Sequence, residues 1–364
     1  MVINPLQHIR ARIDLLDEQI QALINARASC AQEVAALKLN VSAQSVEAAD
    51  FYRPEREAQV LRNVMARNVG PLSGEEMARL FREIMSACLA LEQPMKIAFL
   101  GPEGTFTQAA ALKHFGHSVT TTSHGTIADV FRDVESRGSH YGVVPVENST
   151  EGVVNHTLDT FMNSPLQICG EVELRIHHNL LGNLNDIKAI TRVYSHQQSL
   201  AQCREWLEEN LSGVEHVAVS SNAEAARRAA QEPGAAAIAS EAAAQIYNLH
   251  IMVANIEDEP DNTTRFLVIG PQSPPLSGSD KTSLLLSARN RPGALHHLLE
   301  PLSRYGISMT RIESRPSRRG MWDYVFFIDI EGHRQEPKVA QALQELSAEA
   351  AMLKVLGSYP GAVL

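Results

Sequence analysis

The chain has 364 residues, 44% hydrophobic and 20% charged, a composition that excludes a disordered protein and leaves room for two or three domains at roughly 150 residues each. Its formal net charge of -10, with no Lys/Arg-rich run, excludes a phosphate-backbone footprint for nucleic acid. The four cysteines, Cys30, Cys88, Cys169 and Cys203, form no C-x-x-C pair and fit reduced thiols; with no signal-peptide pattern over Met1 to Leu6 and no run of about 20 apolar residues, a cytoplasmic protein without a membrane role is expected.

From Pro5 to Leu39 the apolar positions Ile9, Ile13, Leu16, Ile20, Leu23, Cys30, Val34 and Leu37 recur at steps of three and four with no internal Gly or Pro, which predicts one long helix. At 1.5 Å per residue it extends about 50 Å, more than its short helical neighbours Glu55 to Ala66 and Glu75 to Leu91 can cover, so a second copy of the chain is expected to cover it, as a homodimer or larger homo-oligomer. After Lys96 the rhythm changes to short buried-type strands, "KIAFLG", "YGVVPVE", "RVYSHQ", "GAAAIAS" and "TRFLVIG", separated by helical stretches; this part reads as α/β. Ser221 and Glu224 supply a capping box. The Pro/Ser/Gly-rich stretch Gln272 to Asp280 reads as a linker. Beyond it the order is strand (Thr282 to Ser287), helix (Gly293 to Arg304), strand (Ser308 to Ser314), strand (Trp322 to Ile330), helix (Pro337 to Ala350) and strand (Met352 to Leu356), a βαββαβ, ferredoxin-like α+β pattern.

Charged residues interrupt the helical stripes. Arg27 follows Leu23 by four and Lys38 follows Val34 by four, so both join the long helix's stripe, about 16 Å apart, and can reach a small molecule between them. Arg10 lies about 25 Å from Arg27 along the axis, so a site it serves belongs mostly to a second copy. Arg56 precedes Val60 and Val64, and Glu92 follows Cys88 and Ile84. Each alone reads as snorkelling or an ion pair; together they imply a polar pocket in a helical bundle.

On "LQHIRARID" and "NARASCAQEVAALK", residues 1–93 resemble the all-helical chorismate mutase domain that bifunctional bacterial enzymes carry fused to prephenate dehydratase. The resemblance implies that Arg10 of the other protomer and Arg27 bind the two substrate carboxylates, that Lys38 donates to the ether oxygen, and that Arg56, Glu57 and Cys88 line the pocket. Glu92 stands where relatives carry glutamine, and a carboxyl can donate to that oxygen only when protonated. Burial raises its pKa and Lys38 lowers it; the net sign is not legible in the sequence.

In open α/β sheets ligands bind beyond the carboxyl ends of strands. Four polar loops fall there: "GPEGTFTQ", "ENSTEG", "SHQQS" and "DNTT". Thr105, Thr107 and Ser149 are also ordinary N-cap types. "GPEGTF" lacks the Gly-Lys-Ser/Thr of a P-loop, and the adjacent pairs His177-His178 and His296-His297 diverge too far to hold a metal alone. Neither metal nor cofactor is expected. Taken together, "GPEGTFTQAA", "GVVPVENSTEGVVNHTLD", "YSHQQSLAQC" and "NTTRF" resemble the prephenate dehydratase domain over residues 96–271, implying a two-lobed, periplasmic-binding-protein-like fold. Thr264 then donates to the departing hydroxyl, and Arg265, Thr107, Asn148, Ser149 and Gln198 hold carboxylates or shape the cleft. Glu147 is a second acid candidate. "RNRPGALHHLL" and "ESRP" make residues 281–360 resemble an ACT regulatory domain that binds phenylalanine near Gly293, Ala294, Leu295, Glu313 and Ser314 as an allosteric inhibitor. Dehydration of arogenate, which uses the same fold, and a non-enzymatic amino-acid sensor stay open as rival readings of the residues.

Overall fold

The computed structural model describes residues 5–42, 51–288, 292–316 and 324–364. Arg289, Asn290 and Arg291 of the "RNRPG" motif, and Trp322 at the start of an expected strand, lie outside them. The chain divides into two units: Met1–Arg53 with Leu61–Met95 and Phe115–Thr120, and Pro54–Val60 with Lys96–His114 and Thr121–Leu364.

The first unit is helical. It contains α1 (Pro5–Ser42), the second half of α2 (Pro54–Arg67) and α3 (Gly74–Glu92). Pro54 opens α2, and Ser73 caps α3 by accepting the Glu76 amide at 3.1 Å. Helix α1 packs along α3, but not through the stripe expected from the sequence. Ala35 is buried, and Ile24, Arg27, Ala28, Ala31 and Lys38 are half-buried, whereas Leu23 and Leu37 are 70% and 66% exposed and Ile9, Ile13, Leu16, Ile20 and Val34 are also exposed. Small alanines let α3 approach closely, and the bulky stripe, which the sequence assigns to a second copy of the chain, stays open on this one. Arg27 and Lys38 belong to the inward, alanine-rich face.

In the second unit the chain runs β1 (Lys96–Leu100), α4 (Phe106–Phe115, its last residue counted with the first unit), β2 (Thr120–His124), α5 (Ile127–Glu135), β3 (Tyr141–Asn148), β4 (Gly152–Val153), α6 (Asn155–Phe161) and β5 (Gln167–Arg175). It then builds a second lobe from β6 (Asn179–Gly182), β7 (Arg192–His196), α7 (Gln197–Gln202), α8 (Arg204–Asn210), β8 (Glu215–Val219), α9 (Asn222–Ala229), β9 (Ala235–Ala239), α10 (Glu241–Tyr247) and β10 (His250–Val253), and returns through β11 (Thr263–Gly270). The first-lobe sheet has the order β2-β1-β3-β11-β5 with β4 beside β3; the second has β10-β6-β9-β7-β8. Because β11 returns between β3 and β5, residues distant in sequence meet in the middle of the first sheet. Ser240 closes one side of the lobes by donating to the Gly104 carbonyl at 2.8 Å. The expected capping box also forms in part: Ser221 accepts the Glu224 amide at 3.1 Å.

The last segment follows the expected βαββαβ order: β12 (Asp280–Ser287), α11 (Ala294–Arg304), β13 (Met309–Pro316), β14 (Tyr324–Glu331), α12 (Pro337–Glu349) and β15 (Met352–Pro360). Its sheet order, β13-β14-β12-β15, is ferredoxin-like. Alternation along the strands gives this sheet two apolar faces. Leu284, Leu286, Ile328 and Ile330 pack with Leu298, Leu302 and Leu346 from the helices, while Leu285, Val325, Phe327, Leu356 and Tyr359 share a core with Phe131, Phe161 and Ile168 of the first lobe. The stretch Gln272 to Asp280 is therefore not a free linker. The Gln272 carbonyl accepts from Cys169 Sγ at 3.2 Å, the Pro274 carbonyl from His333 Nε2 at 3.0 Å, and Asp280 from the amides of Ser277 and Gly278 at 2.9 and 3.1 Å. Its Pro/Ser/Gly composition serves turns in a seam, which composition alone does not distinguish from solvated chain.

At this seam a Cβ on Gly357 would lie 2.3 Å from the backbone oxygen of Ile168. Gly357→Ala is expected to cost about 1–3 kcal/mol through forced backbone movement. A thermal melt followed by circular dichroism should show an earlier transition; an unchanged melt would mean that the two sheets are not held this closely.

Candidate functional site

Within the first unit, the inward face of α1 and the last turns of α3 bring Lys38 and Glu92 together. Lys38 Nζ stands 3.9 Å from Glu92 Oε2, donates to the Phe51 carbonyl at 3.2 Å and lies 5.4 Å from the centre of the Phe51 ring. At 3.9 Å the pair attracts without a hydrogen bond, and Glu92 Oε2 is buried with no hydrogen-bond partner among the described residues. Burial therefore dominates: it holds the Glu92 pKa above 4.5 against the opposing fields of Lys38 and Arg27. The sign left open by the sequence is thus upward, with burial outweighing the two cations. Cys88, one turn before Glu92, is buried. Arg10 is exposed on the uncovered part of α1; Arg56 is exposed and Glu57 half-buried on the first turns of α2, in the short stretch that groups with the second unit.

In the second unit a cavity of about 470 Å³ lies between the lobes. All four polar loops reach it: Gly104, Thr105, Phe106 and Thr107 from the first, Asn148 from "ENSTEG", His196, Gln198 and Ser199 from "SHQQS", and Asn262 and Thr264 from "DNTT". Thr264 Oγ accepts from Asn148 Nδ2 at 2.8 Å, which leaves the threonine proton to be donated elsewhere. Asn148 Nδ2 also donates to Asn262 Oδ1 at 2.7 Å, and its own Oδ1 accepts the amides of Thr150 and Glu151, both at 3.0 Å. A register shift between β3 and β11 at Arg265/Phe266 explains how Pro145 and Asn148, three apart, both face the cavity. Ser149 is exposed and ties the loop to β11, its Oγ accepting the Thr263 amide at 3.0 Å.

Two expected cleft residues are corrected by the same strand geometry. Thr264 and Phe266 line the cavity, so Arg265 between them must face the other way. Its guanidinium meets Glu171 at 2.9 Å, Asp329 at 2.5 Å and Tyr359 at 3.0 Å. Glu147, opposite Arg265 in register, meets Arg311 of β13 at 2.8 Å. Neither lines the cavity, so neither an acid role for Glu147 nor a carboxylate-binding role for Arg265 fits. Gly293 caps α11 with φ +74, a left-handed conformation suited to glycine, and Ala294 and Leu295 are half-buried on its first turn. Glu313 lies opposite Phe327 and Ser314 opposite Phe326, so these two side chains occupy opposite faces of β13.

Sequence reasoning missed Gln202, Asn222 and His178, which also line the cavity. Asn222 accepts from Ser195 Oγ and the His196 amide, both at 3.0 Å, and donates to Ser199 Oγ at 2.8 Å, fixing the "SHQQS" loop. Burial pushes the His178 pKa down, so it is a neutral imidazole, with Nε2 at 2.8 Å from Gln202 Oε1. The sequence offers a signal for Gln202 alone, its place in "YSHQQSLAQC"; the adjacent pair His177-His178 raises only the question of a metal.

Residues 97–274 match the prephenate dehydratase family, residues 9–93 chorismate mutase type II, and residues 282–348 the ACT domain. The chain is 60% identical to a bifunctional chorismate mutase/prephenate dehydratase of Stutzerimonas stutzeri and 59% identical to one of Pseudomonas aeruginosa, covering 99% of both chains in each case. Among solved structures it resembles a prephenate dehydratase from Arthrobacter aurescens in complex with L-Phe, with a TM-score of 0.68 and 32% identity over 73% of this chain and 90% of that one.

The position of Glu92 is testable without reference to any reaction. Its carboxyl should titrate above 4.5 by carbon NMR, and Lys38→Met should raise the midpoint further, because burial then acts with less opposition. The associated stability is fully present below the unfolded-state value and is lost as pH rises through the raised one. A midpoint at or below 4.5, or a fall in Lys38→Met, would contradict the assignment.

Proposed function

The chain belongs to the family of bifunctional chorismate mutase/prephenate dehydratases, and from that premise we propose that its own residues carry the two reactions at separate sites, with phenylalanine inhibiting from a third. The corresponding segments are residues 1–93, 96–271 and 281–360. The first step rearranges chorismate to prephenate within one molecule: the ether C–O bond breaks as a C–C bond forms, and no nucleophile is required. Confinement and stabilisation of charge on the ether oxygen lower its barrier. Arg27, and Arg10 from a second copy, hold the carboxylates, and Cys88 lines the pocket beside them. Lys38 donates to the oxygen, and Glu92 does so in its protonated form. The exposed apolar stripe of α1 supports a homodimer in which that second copy covers the helix, and the protein works in the cytoplasm.

The second step converts prephenate to phenylpyruvate. The bond to the ring carboxylate breaks, its electron pair enters the ring, and hydroxide leaves from the opposite carbon as carbon dioxide departs. Thr264 donates to the leaving hydroxyl. The observation that carries this reading is the Asn148–Thr264 bond inside the cavity, which turns the threonine oxygen into an acceptor on one side and leaves its proton for the substrate. Thr107, at the start of α4, and Gln198 face the same space, and the first amides of α4 suit a carboxylate. Ser149 orders the loop that carries Asn148. Phenylalanine binds at Gly293, Ala294 and Leu295 with Glu313 or Ser314 receiving its ammonium group.

Purified protein given chorismate, prephenate or arogenate, with and without phenylalanine, tests this directly. Lys38→Ala or Arg27→Ala should remove chorismate turnover and spare prephenate turnover; Thr264→Ala should do the reverse, by about 100-fold or more. Loss of both activities in either folded variant, or arogenate turned over in preference to prephenate, would refute the assignment. Mutase activity should fall as pH rises through the raised Glu92 pKa, and Glu92→Gln should flatten that fall; identical profiles would remove Glu92 as donor. Replacing Ile13 and Leu16 with glutamate should lower the sedimenting mass to that of one chain, whereas an unchanged mass would place the dimer contact elsewhere.

A further inference from the structure

Two adjacent pairs of residues straddle the middle of the first-lobe sheet. In each pair one side chain faces the cavity and its neighbour faces the βαββαβ segment: Asn148 and Glu147 on β3, Thr264 and Arg265 on β11. The cavity-side members are bonded to each other at 2.8 Å. The reverse-side members each hold a different strand of the regulatory sheet, Glu147 through Arg311 on β13 and Arg265 through Asp329 on β14.

The two grips differ. Arg265 meets three acceptors, and Lys281 balances the second oxygen of Glu171 at 2.6 Å, so charge around Arg265 is closed. Arg311 meets Glu147 at 2.8 Å through Nε, while its Nη2 is buried with no hydrogen-bond partner among the described residues. A guanidinium with an unused buried donor is held less firmly than one whose donors are engaged. Arg311 is also two residues from Glu313, and strand alternation puts the two on the same face of β13.

We propose that Glu147 and Arg311 are positioning residues: their ion pair holds the back of β3 so that Asn148 presents the Thr264 hydroxyl to substrate, and movement of β13 around Glu313 alters that presentation. Arg265 is the fixed anchor of the same strand pair. The proposal rests on the reading of Thr264 as the donor. It accounts for how a regulatory sheet none of whose described residues lines the cavity acts on the cavity: it holds the reverse side of the strands that build it.

The test uses the full chain carrying Glu147→Gln, Arg311→Leu or both, with Arg311→Lys as the charge-preserving control and thermal melting as the check on folding. Each neutralising variant should lower kcat for prephenate by roughly 10- to 100-fold, the scale of a small misplacement of a reacting group, with a smaller change in KM. Each should weaken phenylalanine inhibition by about 5-fold or more. The double variant should be no worse than the poorer single one, because both break the same link, and Arg311→Lys should recover much of both effects. Chorismate turnover should not change. Folded single variants with unaltered prephenate kcat and phenylalanine response, losses that multiply in the double variant, or an Arg311→Lys chain indistinguishable from Arg311→Leu would overturn the proposal. Thr264→Ala separates the two claims: if it retains prephenate turnover, the donor assignment and the proposal fall together; if it loses turnover while the Glu147 and Arg311 variants behave as the unaltered chain, the positioning role alone is wrong.

Discussion

Alternation of side chains along β3 and β11 is the constraint on which the second unit depends. A strand in the middle of a sheet must present successive residues to opposite faces. Here one face is a polar cavity and the other is a neighbouring sheet. Thr264 and Asn148 can meet over the cavity only if Arg265 and Glu147 are buried or half-buried behind it, and two charges on that side need partners of opposite sign. Asp329, Glu171 and Arg311 provide them. The docking of the βαββαβ segment and the shape of the cavity thus follow from the same two dipeptides.

The first unit meets its own constraint differently. A cation on the inward face of a helix is either neutralised by a direct ion pair or held in the field of a carboxylate without one. Lys38 and Glu92 lie at 3.9 Å, close enough for attraction and too far for a hydrogen bond. The lysine is not locked to the carboxylate, and burial keeps the carboxyl protonated more readily than an exposed one. Small side chains make this arrangement possible, because Ala28, Ala31 and Ala35 let α3 come close enough to shield both groups.

Much of this was legible in the sequence. The change from helical to strand rhythm near Lys96, the βαββαβ order after Asp280 and the four loops around the cavity all follow from local pattern, and the structure contains each of them. What the pattern did not reveal is informative. Hydrophobic periodicity marked the wide stripe through Leu23 and Leu37, yet periodicity reports which face is apolar, not which neighbour lies within the same chain; the alanine face was the one in contact with α3. The resemblance places Thr264 and Arg265 in one cleft, although a strand period of two puts such neighbours on opposite faces. Glu147 has the chemistry of an acid, but its strand position turns it to the face opposite the cavity. The turn-rich stretch before Asp280 looked solvated because its carbonyl and amide partners, His333 and Cys169 among them, are remote in sequence.

The strand pair ties its two faces together, and hydrogen exchange measured by mass spectrometry in the full chain reads both faces at once. Addition of phenylalanine should change exchange at the amides of β13 and, in the same titration, at those of residues 147–149 and 263–266. Changes confined to residues 292–316, with β3 and β11 unaltered at saturating phenylalanine, would contradict the claim that the regulatory sheet acts through the back of the catalytic strands.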